Sequence, residues 1–288
     1  MIELLRDPLT DAVVDTVKLI PFLFITYLIM EYLESRTSDK SAALLAKTGR
    51  FGPLFGASVG VVPQCGFSAA AASLYSGGVI SLGTLLAVFL STSDEMLPIF
   101  ISEKVAPGTI FAILFGKLLI GAASGAAVDA VMRVFFSRRR TEKHIHDLCE
   151  QEHCGCEEEE DGILRPAIRH TLHITLFIFL ITLALSILFS LIGEDTLGAF
   201  LSNKPYLGVF LSALVGLIPN CAASVMLTEL YLHGVLAVGP MMAGLLVSAG
   251  VGLLVLFRTN RHTADNLRIL GVLYALGVFW GLFISLFF

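Results

Sequence analysis

Charge is what this chain has least of. Only 15% of its 288 residues are Asp, Glu, Lys or Arg, against 56% that are hydrophobic, and the mean hydropathy is +0.82. A soluble domain needs about 25% charged residues to cover its surface. The shortage excludes a soluble enzyme, a nucleic-acid binder and a secreted disulfide scaffold. A Walker A pattern is also absent, so ATP hydrolysis on this chain is not expected. Glu3, Asp7 and Asp11 interrupt the first residues, and no secretory leader is expected there.

What the chain does contain is long uncharged stretches. Residues 174–192, 234–257 and 269–288 hold no Asp, Glu, Lys, Arg or His, and 51–93 form a 43-residue run without charge. About 20 apolar residues span a bilayer. The expected class is an all-α polytopic protein, multi-pass in the inner or plasma membrane, with the lipid bilayer as its surroundings and no nucleic-acid partner.

A repeat organises these stretches. Residues 60–95 align without a gap on 216–251, and 11 of the 36 positions are identical, among them Pro63/Pro219, Cys65/Cys221, Tyr75/Tyr231, Gly78/Gly234 and Gly83/Gly239. The organisation expected is a first membrane repeat over 1–136, a polar linker over 137–166 and a second repeat over 167–288. Lys and Arg cluster in 34–50, 133–169 and 258–268, fourteen residues in all, against three in the other ends and loops. Positive residues stay in the cytoplasm. The first repeat then starts outside and ends inside, and the second does the reverse. Two inverted-topology repeats of about five helical segments each are expected, an arrangement found in secondary transporters. The 53 residues of 51–103 are too few for three full crossings at ~1.5 Å per residue. One crossing plus a re-entrant pair of half-helices fits.

Three motifs carry chemistry. The first is the duplicated turn Pro63-Gln64-Cys65-Gly66 and Pro219-Asn220-Cys221-Ala222. Proline breaks a helix, and broken helices at membrane depth survive where they face protein or a watery cavity. Gln64, Cys65, Asn220 and Cys221 are therefore the expected substrate contacts, thiolates for soft ions and amide oxygens for hard ones. The plainer reading makes each cysteine a small buried residue at a tight turn.

The second motif is Ser91-Thr92-Ser93-Asp94-Glu95, where two acids close the long uncharged run. Acids near the bilayer mark ion or proton paths. Asp94, Glu95 and Glu229 are candidates for proton coupling or for a third ligand, and Asp94 would equally cap the helix that follows it. Lys117, inside an apolar helix, is expected to pair with an acid or to snorkel. The third motif is the linker set His144, His146, Cys149, His153, Cys154 and Cys156, followed by acids 157–161. Imidazole and thiolate suit zinc and copper, so the linker is expected to bind metal on the cytosolic side, where a disulfide is disfavoured.

The paired turns Gly60-Val-Val-Pro-Gln-Cys-Gly66 and Gly216-Leu-Ile-Pro-Asn-Cys-Ala222, the Ser91–Glu95 segment and the Cys/His loop resemble the ten-transmembrane heavy-metal exporters. These are prokaryotic proteins often labelled manganese transporters or arsenic-permease-like. The resemblance implies an exporter of a metal or metalloid ion of the zinc, cadmium, copper, manganese or arsenite class. No cofactor is required; the metal is substrate and is also held in the linker. The alternative is a carrier or flippase for an organic or lipid-linked anion. No base lies next to Cys65 or Cys221 in sequence, so no enzyme is expected. Nothing in the sequence fixes the oligomeric state, and a homo-oligomer is compatible with it. Reporter fusions are expected to place residues 40 and 150 in the cytoplasm and residues 105, 198 and the C-terminus outside. A cytoplasmic C-terminus contradicts the inversion.

Overall fold

A computed structural model describes residues 9–28 apart from 11, 15, 22 and 26, and residues 51–93, 96–135, 164–192, 205–260 and 262–287. Every regular element among the described residues is a helix. Helical residues between 9 and 28 lead into α1 (Gly52–Gly60), α2 (Cys65–Ser76), α3 (Leu82–Ser91), α4 (Met96–Ser102) and α5 (Pro107–Phe135). The second series is α6 (Leu164–Ile192), α7 (Pro205–Gly216), α8 (Cys221–Leu232), α9 (Val238–Val247), α10 (Val251–Thr259) and α11 (Thr263–Ser285). Among the described residues, five helical stretches are long and apolar enough to cross a membrane: Leu82–Ser102 (α3 with α4), Pro107–Val134, Ala167–Leu185, Val238–Thr259 (α9 with α10) and Thr263–Ser285. Helix α6 begins at Leu164, inside the stretch expected to be linker. A proline at position 166 falls in its first turn, where the missing N–H has no intrahelical acceptor to serve.

The repeat in the sequence is a repeat of structure. The bounds of α2 and α8, and of α3 and α9, differ by 156 residues at both ends, and α5 and α11 begin 156 apart. The turns repeat too. After α2, Val79 N–H donates to the carbonyl of Leu74 and Gly78 N–H to that of Tyr75; after α8, Val235 and Gly234 do the same to Leu230 and Tyr231. Gly78 and Gly234 sit at φ +75° and +73°. This helix stop needs a left-handed residue at that point, which is why glycine stands there twice.

Each half is built on three helices whose backbones touch: α1, α3 and α5 in the first, α7, α9 and α11 in the second. Small residues permit this in lipid, where close packing and polar contacts replace the hydrophobic drive between helices. A Cβ added at Gly83 would meet the carbonyl of Gly125 at 2.1 Å, and one at Gly216 would meet the Gly244 carbonyl at 2.2 Å. The start of α3 carries an extra fastening. The buried carboxylate of Asp129 accepts from Gly83 N–H at 2.8 Å and from the Ser81 hydroxyl at 2.6 Å, and Ser81 Oγ accepts from Thr84 N–H. A carboxylate is favourable against the positive end of a helix.

The halves interlock through the helices that follow the proline turns. Helix α2 packs along α10 of the other half, and α8 packs on α4. Gly252 on α10 lies so close to α2 that a Cβ would meet Ser68 Cβ at 2.8 Å. At the far end of α2 the Tyr75 hydroxyl donates to Asp265 Oδ2 at 3.0 Å, which also accepts from Asn260 Nδ2 at 3.0 Å. Ser76 and Thr259 share a hydrogen bond at 2.8 Å. The equivalent tyrosine, Tyr231, instead lays its ring 6.2 Å from that of Phe100. On α11, by contrast, a Cβ added at Gly271 would meet nothing within 4 Å.

Two glycine substitutions separate packing from propensity. Gly216→Ala is expected to force α7 away from α9 and cost about 1–3 kcal/mol, as overpacking does. Gly271→Ala on the open face of α11 is expected to be neutral or to stabilise by up to about 1 kcal/mol. Thermal unfolding of the two purified variants in the same detergent checks both.

Candidate substrate site at the helix breaks

Each proline turn ends one helix and starts the next. Helix α1 stops at Gly60 and α7 at Gly216, three residues before Pro63 and Pro219, since a residue preceding proline is pushed out of the helical region. Gln64 (φ −158°, ψ 111°) and Asn220 (φ −144°, ψ 142°) are extended N-caps, and Cys65 and Cys221 become the first residues of α2 and α8. The Ser68 and Ser224 hydroxyls each donate back to the carbonyl of the cysteine, both at 2.8 Å.

The two cysteines meet. Cys65 Sγ and Cys221 Sγ lie 3.8 Å apart, both half-buried and neither in a disulfide. The amides beside them are not equivalent. Asn220 is buried, and its Oδ1 accepts from Ala222 N–H at 3.2 Å, so that oxygen caps α8. Gln64 is half-buried, and its side chain makes no such cap.

Beside Cys221 and Ser224 lies a small cavity with room for about one water molecule. Its remaining walls come from two further breaks, at 92–93 after α3 and at 248–250 between α9 and α10. Thr92, Ser93 and Ser248 face it with buried hydroxyl-bearing side chains. Gly250 sits at φ +52°, ψ −137°, a conformation closed to residues with a side chain, so the second break is written into the backbone by glycine. The candidate spans Leu82–Ser102 and Val238–Thr259 are thus each interrupted, at equivalent places in the two halves.

Lys117 occupies the wall between the breaks. It is fully buried, and its Nζ donates to the carbonyl of Thr92 and, at 3.1 Å, to that of Leu245. Snorkelling is therefore corrected: the ammonium lies inside the protein, on carbonyls left by ending α3 and α9. Its equivalent in the second half is Leu273.

The other expected residues fall elsewhere. Glu229 is half-buried on α8, two turns or ~12 Å beyond Cys221 at ~1.5 Å per residue, and does not line the cavity. Asp94 and Glu95 lie outside the described residues, as do His144, His146, Cys149, His153, Cys154 and Cys156. Among the described residues no three His, Cys, Asp or Glu side chains come together as a metal cluster. Sequence reasoning missed the break at 248–250 and the carbonyl partners of Lys117. Gly250, four residues from Leu246 in an uncharged run, was the visible signal for the first; a lysine in one repeat facing leucine in the other was the signal for the second.

A family model described as "Putative, 10TM heavy-metal exporter" matches residues 3–192, which take in the first Pro-Gln-Cys turn, the Ser91–Glu95 motif, Lys117 and the linker. No curated protein and no solved structure matches the chain.

The thiol pair can be tested directly. In a background with Cys149, Cys154 and Cys156 changed to Ser, a short thiol-bridging reagent is expected to join Cys65 to Cys221 within one chain. Mass spectrometry of the linked peptides reads the result, and separate labelling of the two thiols contradicts the geometry.

Proposed function

The chain belongs to this ten-transmembrane heavy-metal exporter family, and from there we propose that its cargo is a soft, thiol-seeking metal or metalloid ion held between Cys65 and Cys221. One observation carries the proposal. A tetrahedral ion with ~2.3 Å metal–sulfur bonds sets two of its sulfurs about 3.8 Å apart, and the two sulfurs here are 3.8 Å apart. Little movement is needed for both to ligate at once.

The cavity beside Cys221 supports the same reading. It takes a stripped ion; an organic or lipid-linked anion needs a pocket of ~300 Å³ or more. Among the candidate ions, zinc, cadmium, copper and trivalent arsenic suit thiolates, while manganese prefers oxygen. The hydroxyls of Thr92, Ser93 and Ser248 and the amide of Gln64 would complete a coordination shell. Asp94 and Glu95, next to Thr92 and Ser93 in sequence, are the candidates for a further ligand or a proton carrier. The linker ligands His144, His146, Cys149, His153, Cys154 and Cys156 would gather the ion on the cytosolic side before export.

Transport would follow from two repeats inverted in the membrane, each lending one broken helix to the site. The energy source is an ion gradient. Rocking one repeat against the other would expose Cys65 and Cys221 to either face in turn.

Serine replaces a thiol with a harder and weaker ligand at almost the same volume. Cys65→Ser and Cys221→Ser are each expected to lose most resistance to the exported metal at normal expression. The double variant is expected to be little worse than either, because two ligands on one ion act as a unit. Growth of a sensitised strain over a panel of metals gives the measurement. Serine variants that keep resistance, with Asp94→Asn losing it, would replace the thiolate site with an oxygen site and make manganese the cargo.

A further inference from the structure

A charged ammonium enclosed in protein needs oxygen ligands, and the helix breaks supply them. The end of a helix leaves its last carbonyls without intrahelical donors. It also carries the negative end of the helix dipole, where a cation is stabilised. Thr92 lies directly after α3, and Leu245 lies in the last turn of α9. Their carbonyls come from different repeats, and Lys117 Nζ bridges them. In transporters built from broken helices, unwound carbonyls and half-helix C-terminal ends are where a coupling Na⁺ binds.

We propose that the carbonyls of Thr92 and Leu245 form a monovalent-cation site which Lys117 fills permanently with its own ammonium, so that transport proceeds without Na⁺ or K⁺ bound there. The tethered charge takes the place of a dissolved ion and cannot dissociate. The same contact holds the two breaks in register across the repeats. Leu273, the equivalent of Lys117, offers nothing of the kind, so one filled site serves the whole molecule.

Removing the side chain should convert the filled site into an empty one that a dissolved cation can enter. Full-length Lys117→Ala, purified in detergent, is expected to melt below the wild type in choline chloride. Equal concentrations of NaCl, KCl or methylammonium chloride should then restore part of the loss. A cation at tenfold its dissociation constant raises the midpoint by about 2–3 °C for a chain of this size. Wild type should show no such preference over choline. Neither should Lys117→Met, which fills the space with an apolar chain. A folded Lys117→Ala that none of the three cations stabilises overturns the proposal, as does a wild type that Na⁺ or K⁺ stabilises over choline. Should Lys117→Ala be lost on purification in every salt, Lys117→Gln takes its place, and absence of a cation effect there overturns the proposal as well.

The flux measurement alone rests on the proposed cargo. Radioactive Cd²⁺ export from proteoliposomes by the wild type is expected to be equal in Na⁺ and in choline, and Na⁺-dependent export overturns the filled site. Absence of any Cd²⁺ flux counts against the thiol reading while the melting result still decides the cation site.

Discussion

Lipid offers no hydrogen bonds, and a helix that stops inside it exposes N–H and carbonyl groups at several kcal/mol each. Among the described residues, apolar helices are interrupted at the two Pro-polar-Cys turns and at the two breaks at 92–93 and 248–250. The polar groups freed at an interruption are served by other parts of the same chain. Asn220 Oδ1 serves the start of α8, and the Ser68 and Ser224 hydroxyls turn back onto the cysteine carbonyls. Lys117 serves the ends of α3 and α9. Residues of the breaks at 92–93 and 248–250 meet Cys221 of the second turn around one small cavity.

The glycine contacts are the other half of the same requirement. Backbones approach as closely as Gly83 and Gly125, or Gly216 and Gly244, and leave no room for a side chain between the helices there. The same closeness lets α2 lie along α10 and α8 reach α4. The two reciprocal contacts differ in chemistry. Tyr75 ends in a polar cluster with Asp265, Asn260 and Asn266, whereas Tyr231 ends against the ring of Phe100. The far ends of α2 and α8 are thus fastened to the other half by unlike means.

Much of this architecture is legible in the amino-acid order alone. The hydrophobic runs set the class, and the 156-residue offset anticipates the matching bounds of α2 with α8 and α3 with α9. Pro63 and Pro219 mark their breaks because proline acts locally, through its own missing N–H. The pairing of Cys65 with Cys221 follows from placing the same turn twice in one site. The break at 248–250 is harder to see. A single glycine in an apolar run is compatible with a continuous helix, and only its positive φ in the folded chain distinguishes it. Lys117 is hidden for a related reason. Two of its partners are backbone carbonyls, which carry no signature in a sequence. The fastening of α3 by Asp129 leaves no local pattern either, because it joins residues 46 apart.

Residues that face their own equivalents give the duplication a further meaning. Cys65 meets Cys221, and the Trp280 indole N–H donates to the Ser124 hydroxyl at 2.9 Å, again across 156 positions. Had the two halves been separate identical chains, each such position would confront a copy of itself: cysteine with cysteine would survive, but serine with tryptophan could not arise. Joining the halves in one chain lets a donor stand on one side and its acceptor on the other. The cysteine pair keeps the symmetry of the duplication, while the Ser124/Trp280 position has been released to become a matched lock between unlike halves.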